Sequence, residues 1–92
     1  MSDIIQSLWI GGELSLMEQL SAKSFIDHGH EYHLYTYGDV KNIPEGVIVK
    51  DGNEILPESE IFRYENGSVS AFSNYFRFMM LYKKGGYWAD SD

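Results

Sequence analysis

Residues 68–89 read SVSAFSNYFRFMMLYKKGGYWA, and this stretch decides the fold. At about 100° per residue, apolar side chains cover nearly the whole circumference of a helix over 68–84. Val69, Ala71, Phe72, Tyr75, Phe76, Phe78, Met79, Met80, Leu81 and Tyr82 are spread around it. A helix that is apolar all round is expected to be buried. Ser68 is suited to cap its start, and Gly85-Gly86 stops it. Tyr87-Trp88-Ala89 then predicts a short strand that delivers Asp90 at its carboxyl end.

Working outward from this unit, the earlier chain repeats the same alternation. Residues 4–10 form a short apolar run interrupted by Gln6 and Ser7 and closed by Gly11-Gly12, which reads as a buried strand ending in a tight turn. Residues 13–28 carry Leu14, Met17, Leu20 and Phe25 at helical spacing, with Gly29 as the terminating glycine. Residues 31–37 alternate and are rich in aromatics, as a second strand does. Residues 47–49 predict a brief third strand, residues 51–53 a turn, and Pro57 limits any short helix over 54–56. Strands alternating with helices imply an α/β fold with a parallel sheet of about four short strands and flanking helices. In such sheets ligands sit beyond the carboxyl ends of the strands, where strand order reverses. The two ends that matter are then Trp9-Ile10-Gly11 and Ala89-Asp90.

Composition narrows the partners. Ninety-two residues make one small domain. Lys+Arg 7 against Asp+Glu 14 gives a net charge of −7, which disfavours nucleic acid, since phosphate backbones need cationic neutralisation. One phosphorylated small molecule remains compatible if a metal supplies positive charge. There is no cysteine, so thiolate metal sites and disulfides are excluded. The start of the chain lacks a basic segment and a sufficient apolar core for targeting. No stretch has the length of a transmembrane segment, and the expectation is a soluble, cytoplasmic protein.

Four groups of residues carry candidate chemistry. Ser70, Ser73, Asn74 and Arg77 lie at offsets of 3, 4 and 7, which puts the polar residues of the long helix in one stripe. That stripe lines a ligand pocket with Arg77 near an anion or near Asp90 and Asp92, or Arg77 simply ties two elements together through a carboxylate. Asp90-Ser91-Asp92 places two carboxylates on one face of an extended segment. Side by side they repel unless a cation intervenes, and Mg²⁺ or Mn²⁺ takes such oxygens together with substrate phosphates. The plain alternative is an exposed acidic tail. Trp9 beside Gly11-Gly12 suits stacking on a base or sugar, because absent side chains let a planar ligand approach; a core tryptophan before a turn is the equal alternative. His28, His30 and His33 straddle a helix end and a strand and point apart, so a shared zinc would be strained. Residues 51–54 open like a calcium loop, but Phe62 stands at the twelfth position and cannot ligate.

Taken together, residues 5–12, residues 70–77 and the string from Leu81-Tyr82 through Gly85-Gly86 to Asp90-Ser91-Asp92 resemble the sugar transferases with a DXD motif. That group includes capsular-polysaccharide and glycolipid galactosyl- and mannosyltransferases and the glucosyltransferase domains of large clostridial toxins. The resemblance covers both ends of the chain and leaves out its middle. It implies a GT-A glycosyltransferase with a Rossmann-like parallel half-sheet, and residues 1–92 as its nucleotide-sugar-binding portion. It further implies a nucleotide-sugar donor, Mn²⁺ or Mg²⁺, transfer with retention to a glycan or other acceptor, and a place in polysaccharide biosynthesis. By resemblance, Asp90 and Asp92 contact the metal and diphosphate. Arg77 organises those carboxylates and the donor. Trp9, with Ile10 and Gly11, lies against the nucleotide base, and Ser70 and Asn74 face the donor. Many members have Asp where this chain has Asn74, which keeps hydrogen bonding but lacks the charge. Members of the group run well beyond the motif, so the chain reads as a truncated transferase. The competing readings are a non-catalytic nucleotide-binding remnant, with self-association through an incomplete sheet, and a small acidic α/β interaction domain.

Overall fold

The computed structural model describes residues 4–62 and 69–89. Strand β1 (Ile4–Trp9) leads to helix α1 (Leu16–Asp27) and strand β2 (Glu31–Thr36). Strand β3 (Ile48–Asp51) follows, then two single-turn 3₁₀ helices, Gly52–Glu54 and Glu58–Glu60. Helix α2 (Ser70–Lys84) and strand β4 (Tyr87–Trp88) complete the described chain. The four strands form one sheet in the order β3-β2-β1-β4, and every pairing is parallel. This is the α/β half-sheet expected from the alternation of elements.

Alternation along the strands splits the core into two layers. On one face, Leu8 and Tyr35 pack with Phe72, Phe76 and Met80 of α2 and with Ile55 and Leu56. On the other, Ile5, Tyr32 and Leu34 pack with Leu14 and Ala22, and Phe25 and Ile26 of α1 close over them. β1 lies inside the sheet with both faces covered, which is why residues 5–8 are all buried. Its Gln6 is no exception to physical sense. The buried amide donates from Nε2 to the Gly85 carbonyl at 2.6 Å, tying β1 to the turn between α2 and β4. Gly85 and Gly86 have φ of 70° and 89°. Two successive residues in this left-handed region are a glycine preserve, and they swing the chain from α2 back alongside β1.

Both helices differ from expectation in which faces they bury. α1 begins at Leu16 rather than at residue 13, because residues 12–14 are engaged elsewhere: Leu14 N donates to Lys41 O, and Lys41 N to Gly12 O, each at 2.9 Å. Ser15 caps the helix by accepting from Glu18 N, and Gly29 (φ 86°) ends it as expected. The apolar stripe read from spacing is only half right. Met17 and Leu20 are 80% and 57% exposed, whereas Glu18 is 4% exposed. The helix is rotated so that the Glu18 carboxylate receives the buried Tyr32 hydroxyl at 2.6 Å. Burial foremost, and then Glu18, pushes the Tyr32 hydroxyl far above the usual phenol range.

α2, expected to be buried all round, is not. Phe72, Phe76 and Met80, one turn apart along a single stripe, are fully buried, but Phe78 and Tyr82 are 69% and 82% exposed. A helix on a sheet can bury only the stripe that meets the sheet, and among the described residues no further layer covers its back. The capping position is Val69, with no side-chain hydrogen bond; the expected cap, Ser68, lies outside the described residues.

Candidate functional site

The strand order creates one position for a ligand. From β1 the chain moves to β2 and β3 on one side, and α2 then carries it across to β4 on the other. Strand order therefore reverses between β1 and β4, and in open parallel sheets ligands bind beyond the carboxyl ends at such a reversal. The Ile5–Tyr87 and Gln6–Trp88 pairs set the register, and Ala89 N extends it by donating to Gln6 O at 2.9 Å. Trp9-Ile10-Gly11 and Ala89 therefore leave the sheet at the same edge. α2 runs against the strands, with its last turn at Gly85 bonded to the first half of β1. Its amino-terminal turn, with half-buried Ser70, thus faces the carboxyl edge, where helix dipoles favour anions.

Trp9 ends β1 at this switch point and packs against the core of the α1 face. The residue is half-buried, and its indole Nε1 is buried without a hydrogen-bond partner among the described residues. Tryptophan N–H groups usually find an acceptor when buried. Gly11 follows with φ of 148°, and a Cβ there would lie 3.3 Å from Trp9 Nε1. Glycine thus lets the backbone turn closely over the edge of the indole. The next residues are fixed rather than loose, since the two backbone bonds with Lys41 join the loop after β1 to the loop after β2. An open cleft of about 420 Å³ at the carboxyl ends of β2 and β3 is lined by residues including Thr36, Asp39, Asp51 and Asn53. There Asp51 accepts from the Asn53 backbone N–H and side-chain amide, and these bonds, the backbone one first, hold its carboxyl below its ordinary range.

Of the residues singled out by sequence, Trp9, Ile10 and Gly11 sit at the switch point, with Ser70 on the helix turn that faces the same edge. Asn74 is exposed, and Arg77 is half-buried rather than buried. Arg77 borders an open groove of about 470 Å³ with Asn74, Phe78, Leu81 and Tyr82. The correction follows from the helix angle: Arg77 stands about 100° from Phe76, the centre of the buried stripe, and so lies on the flank of α2. Asp90 and Asp92 lie outside the described residues. Among the described residues there is no group of three or more His, Cys, Asp or Glu that could hold a metal. The histidines go separate ways. The His28 ring meets Ser24 O at 2.7 Å, His33 Nε2 meets the Glu31 carboxylate at 2.8 Å, and His30 packs edge-on against Phe25. Comparison with protein-family models, with curated proteins and with solved structures returned no match.

Two supporting residues escaped the sequence reading. Lys41 anchors the loop after β1 through its backbone, and no side-chain pattern announces that. Gln6 did leave a trace, as a polar residue inside an apolar run, which in a central strand signals a buried amide with a specific partner. No helix is long and apolar enough to cross a membrane, among the described residues.

Proposed function

We propose that this chain is the donor-binding part of a metal-dependent glycosyltransferase that uses a nucleotide sugar, with retention of anomeric configuration. The observation that carries the reading is the Trp9 indole N–H, buried and without an acceptor at the switch point of a parallel sheet. A buried donor left unpaired costs about 1–3 kcal/mol, and a ligand carbonyl or phosphate oxygen bound there would remove that cost. The resemblance to DXD transferases assigns the same residue to the nucleotide base, so two independent lines meet on Trp9.

In this reading the indole face stacks on the base, and Gly11 keeps the approach free of a side chain. The first turn of α2, with Ser70, offers a positive dipole end to the diphosphate. Asn74 and Arg77 contribute hydrogen bonds and charge from the flank of the same helix. Asp90 and Asp92 would hold Mn²⁺ or Mg²⁺, which when bound neutralises the departing diphosphate as a Lewis acid. The need for a cation follows from charge. The chain carries −7, and a diphosphate brought beside two carboxylates is repelled without one.

Calorimetry of the chain with several nucleoside diphosphates, with Mn²⁺ and with chelator, tests this. Binding is expected to require the metal and to weaken in Asp90→Asn and Asp92→Asn. Trp9→Phe keeps an aromatic face but removes the N–H, so it should weaken nucleotide binding while leaving the metal dependence intact. Equal binding with Mn²⁺ and with chelator, unaffected by either Asp substitution, would remove the basis for the assignment.

A further inference from the structure

α2 does not cover the whole of its sheet face. The helix ends at Lys84, and Gln6 of β1 holds the turn that follows through the Gly85 carbonyl. Beside this end lies an open pocket of about 400 Å³, within the size range of small-molecule sites. Its floor is the sheet. Gln6 pairs with His33 and Tyr35 with Lys50, and all four border the pocket. Tyr35 packs in the core on the α2 side, so by strand alternation this floor is the α2 face. Lys50 also borders the cleft at the ends of β2 and β3, but its pairing with Tyr35 sets its side chain on the α2 face. The wall is the end of α2 and the start of β4, where Lys84 and Tyr87 border the pocket. Trp9, Gly11 and Ser70 have no part in it.

The pocket gathers positive charge in an acidic chain. Asp+Glu outnumber Lys+Arg by 14 to 7, yet among the described residues the lining holds two lysines and no carboxylate. Neither Lys50 nor Lys84 forms an ion pair among the described residues. Of the acids near this face, Glu31 is engaged with His33 Nε2 at 2.8 Å, and Glu54 acts on Tyr35 without bordering the pocket. Two ammonium groups around an apolar-walled hollow focus their field on it, and lysine binds phosphate as a point charge.

We propose that this pocket binds a small phosphate monoester, with Lys50 and Lys84 meeting the dianion and Ile4 and Tyr87 lying against the apolar body. A monoester carries a charge of about −1.5 to −2 at neutral pH, which two lysines offset. Binding therefore needs no divalent cation, unlike binding at the donor site.

Calorimetry of the full chain in chelator tests this with phenyl phosphate, inorganic phosphate and phenol. Phenyl phosphate should bind about tenfold more tightly than either of the others, and less tightly as salt rises. Lys50→Met and Lys84→Met should each weaken it about tenfold, with circular dichroism verifying that the variants remain folded. Trp9→Phe and Asp90→Asn should leave it unchanged, which separates this site from the donor site. Phenyl phosphate that binds only with a divalent cation, or as well in both lysine variants, would overturn the proposal. Inorganic phosphate bound as tightly as phenyl phosphate would overturn it too, by leaving the apolar wall without a role.

Discussion

Replacing Tyr32 by Phe probes a buried side-chain pair that orients α1 on the sheet. Tyr32 is 0% exposed and Glu18 4% exposed, and the hydroxyl donates to Glu18 Oε1 at 2.6 Å. The substitution keeps the ring, so it opens no cavity of consequence, and its whole effect falls on the hydrogen bond. A bond to a carboxylate contributes about 1.5–3 kcal/mol, and the partner is left buried and short of a donor when it is removed. The expected loss is therefore about 2 kcal/mol. For a domain of this size that lowers the melting temperature by roughly 8–16 °C, which urea titration and calorimetry can both read. The reasoning also predicts non-additivity. Glu18→Leu alone strands the hydroxyl, whereas Glu18→Leu with Tyr32→Phe leaves two apolar groups in contact and should recover part of the loss. A Tyr32→Phe change below about 0.5 kcal/mol, the range of ordinary surface positions, would refute the view that this pair sets the rotation of α1.

Gly86→Ala should destabilise the chain by about 1–3 kcal/mol, because Gly86 has φ of 89° and the new Cβ would sit 2.5 Å from the buried Gln6 amide; chemical denaturation reads it. Gly52→Ala should also cost stability, about 1–3 kcal/mol of overpacking, since its Cβ would lie 2.6 Å from the Tyr37 ring. Burial first, then Asp51 and Glu58, pushes the Tyr37 hydroxyl from 10.0 up to about 12. The folded state thus holds a proton that the unfolded state releases, so this contribution is intact below pH 10 and is lost as pH rises toward 12. Denaturation midpoints measured across that window should fall, and Tyr37→Phe should fall less steeply.

How much of this was legible beforehand differs by element. The strand–helix alternation, the glycine stops at Gly29 and Gly85-Gly86, and the parallel half-sheet follow from hydrophobic period and turn chemistry, which are local and survive in the sequence. The pairing of β1 with β4 is not local, and it follows from the switch-point rule only together with the GT-A fold that the resemblance to DXD transferases implies. For the candidate site, Trp9, Ile10 and Gly11 could be picked out because an aromatic beside glycines at a strand end is a local pattern. The flank position of Arg77 could not, because it depends on which stripe of α2 meets the sheet.

The amino-acid sequence by itself therefore determined the order of elements, the class of fold and the strand ends where a ligand site can form. Period, capping and glycine placement act within a few residues and need no knowledge of the rest of the chain. Only the tertiary structure decided which helix faces are covered. Both helices carry more apolar surface than one sheet face can accept, and the choice falls to specific pairs: Tyr32 with Glu18 on one side of the sheet, Tyr35 with Phe76 on the other. Those pairs join residues distant in sequence, and their geometry leaves Met17, Leu20, Phe78 and Tyr82 in solvent.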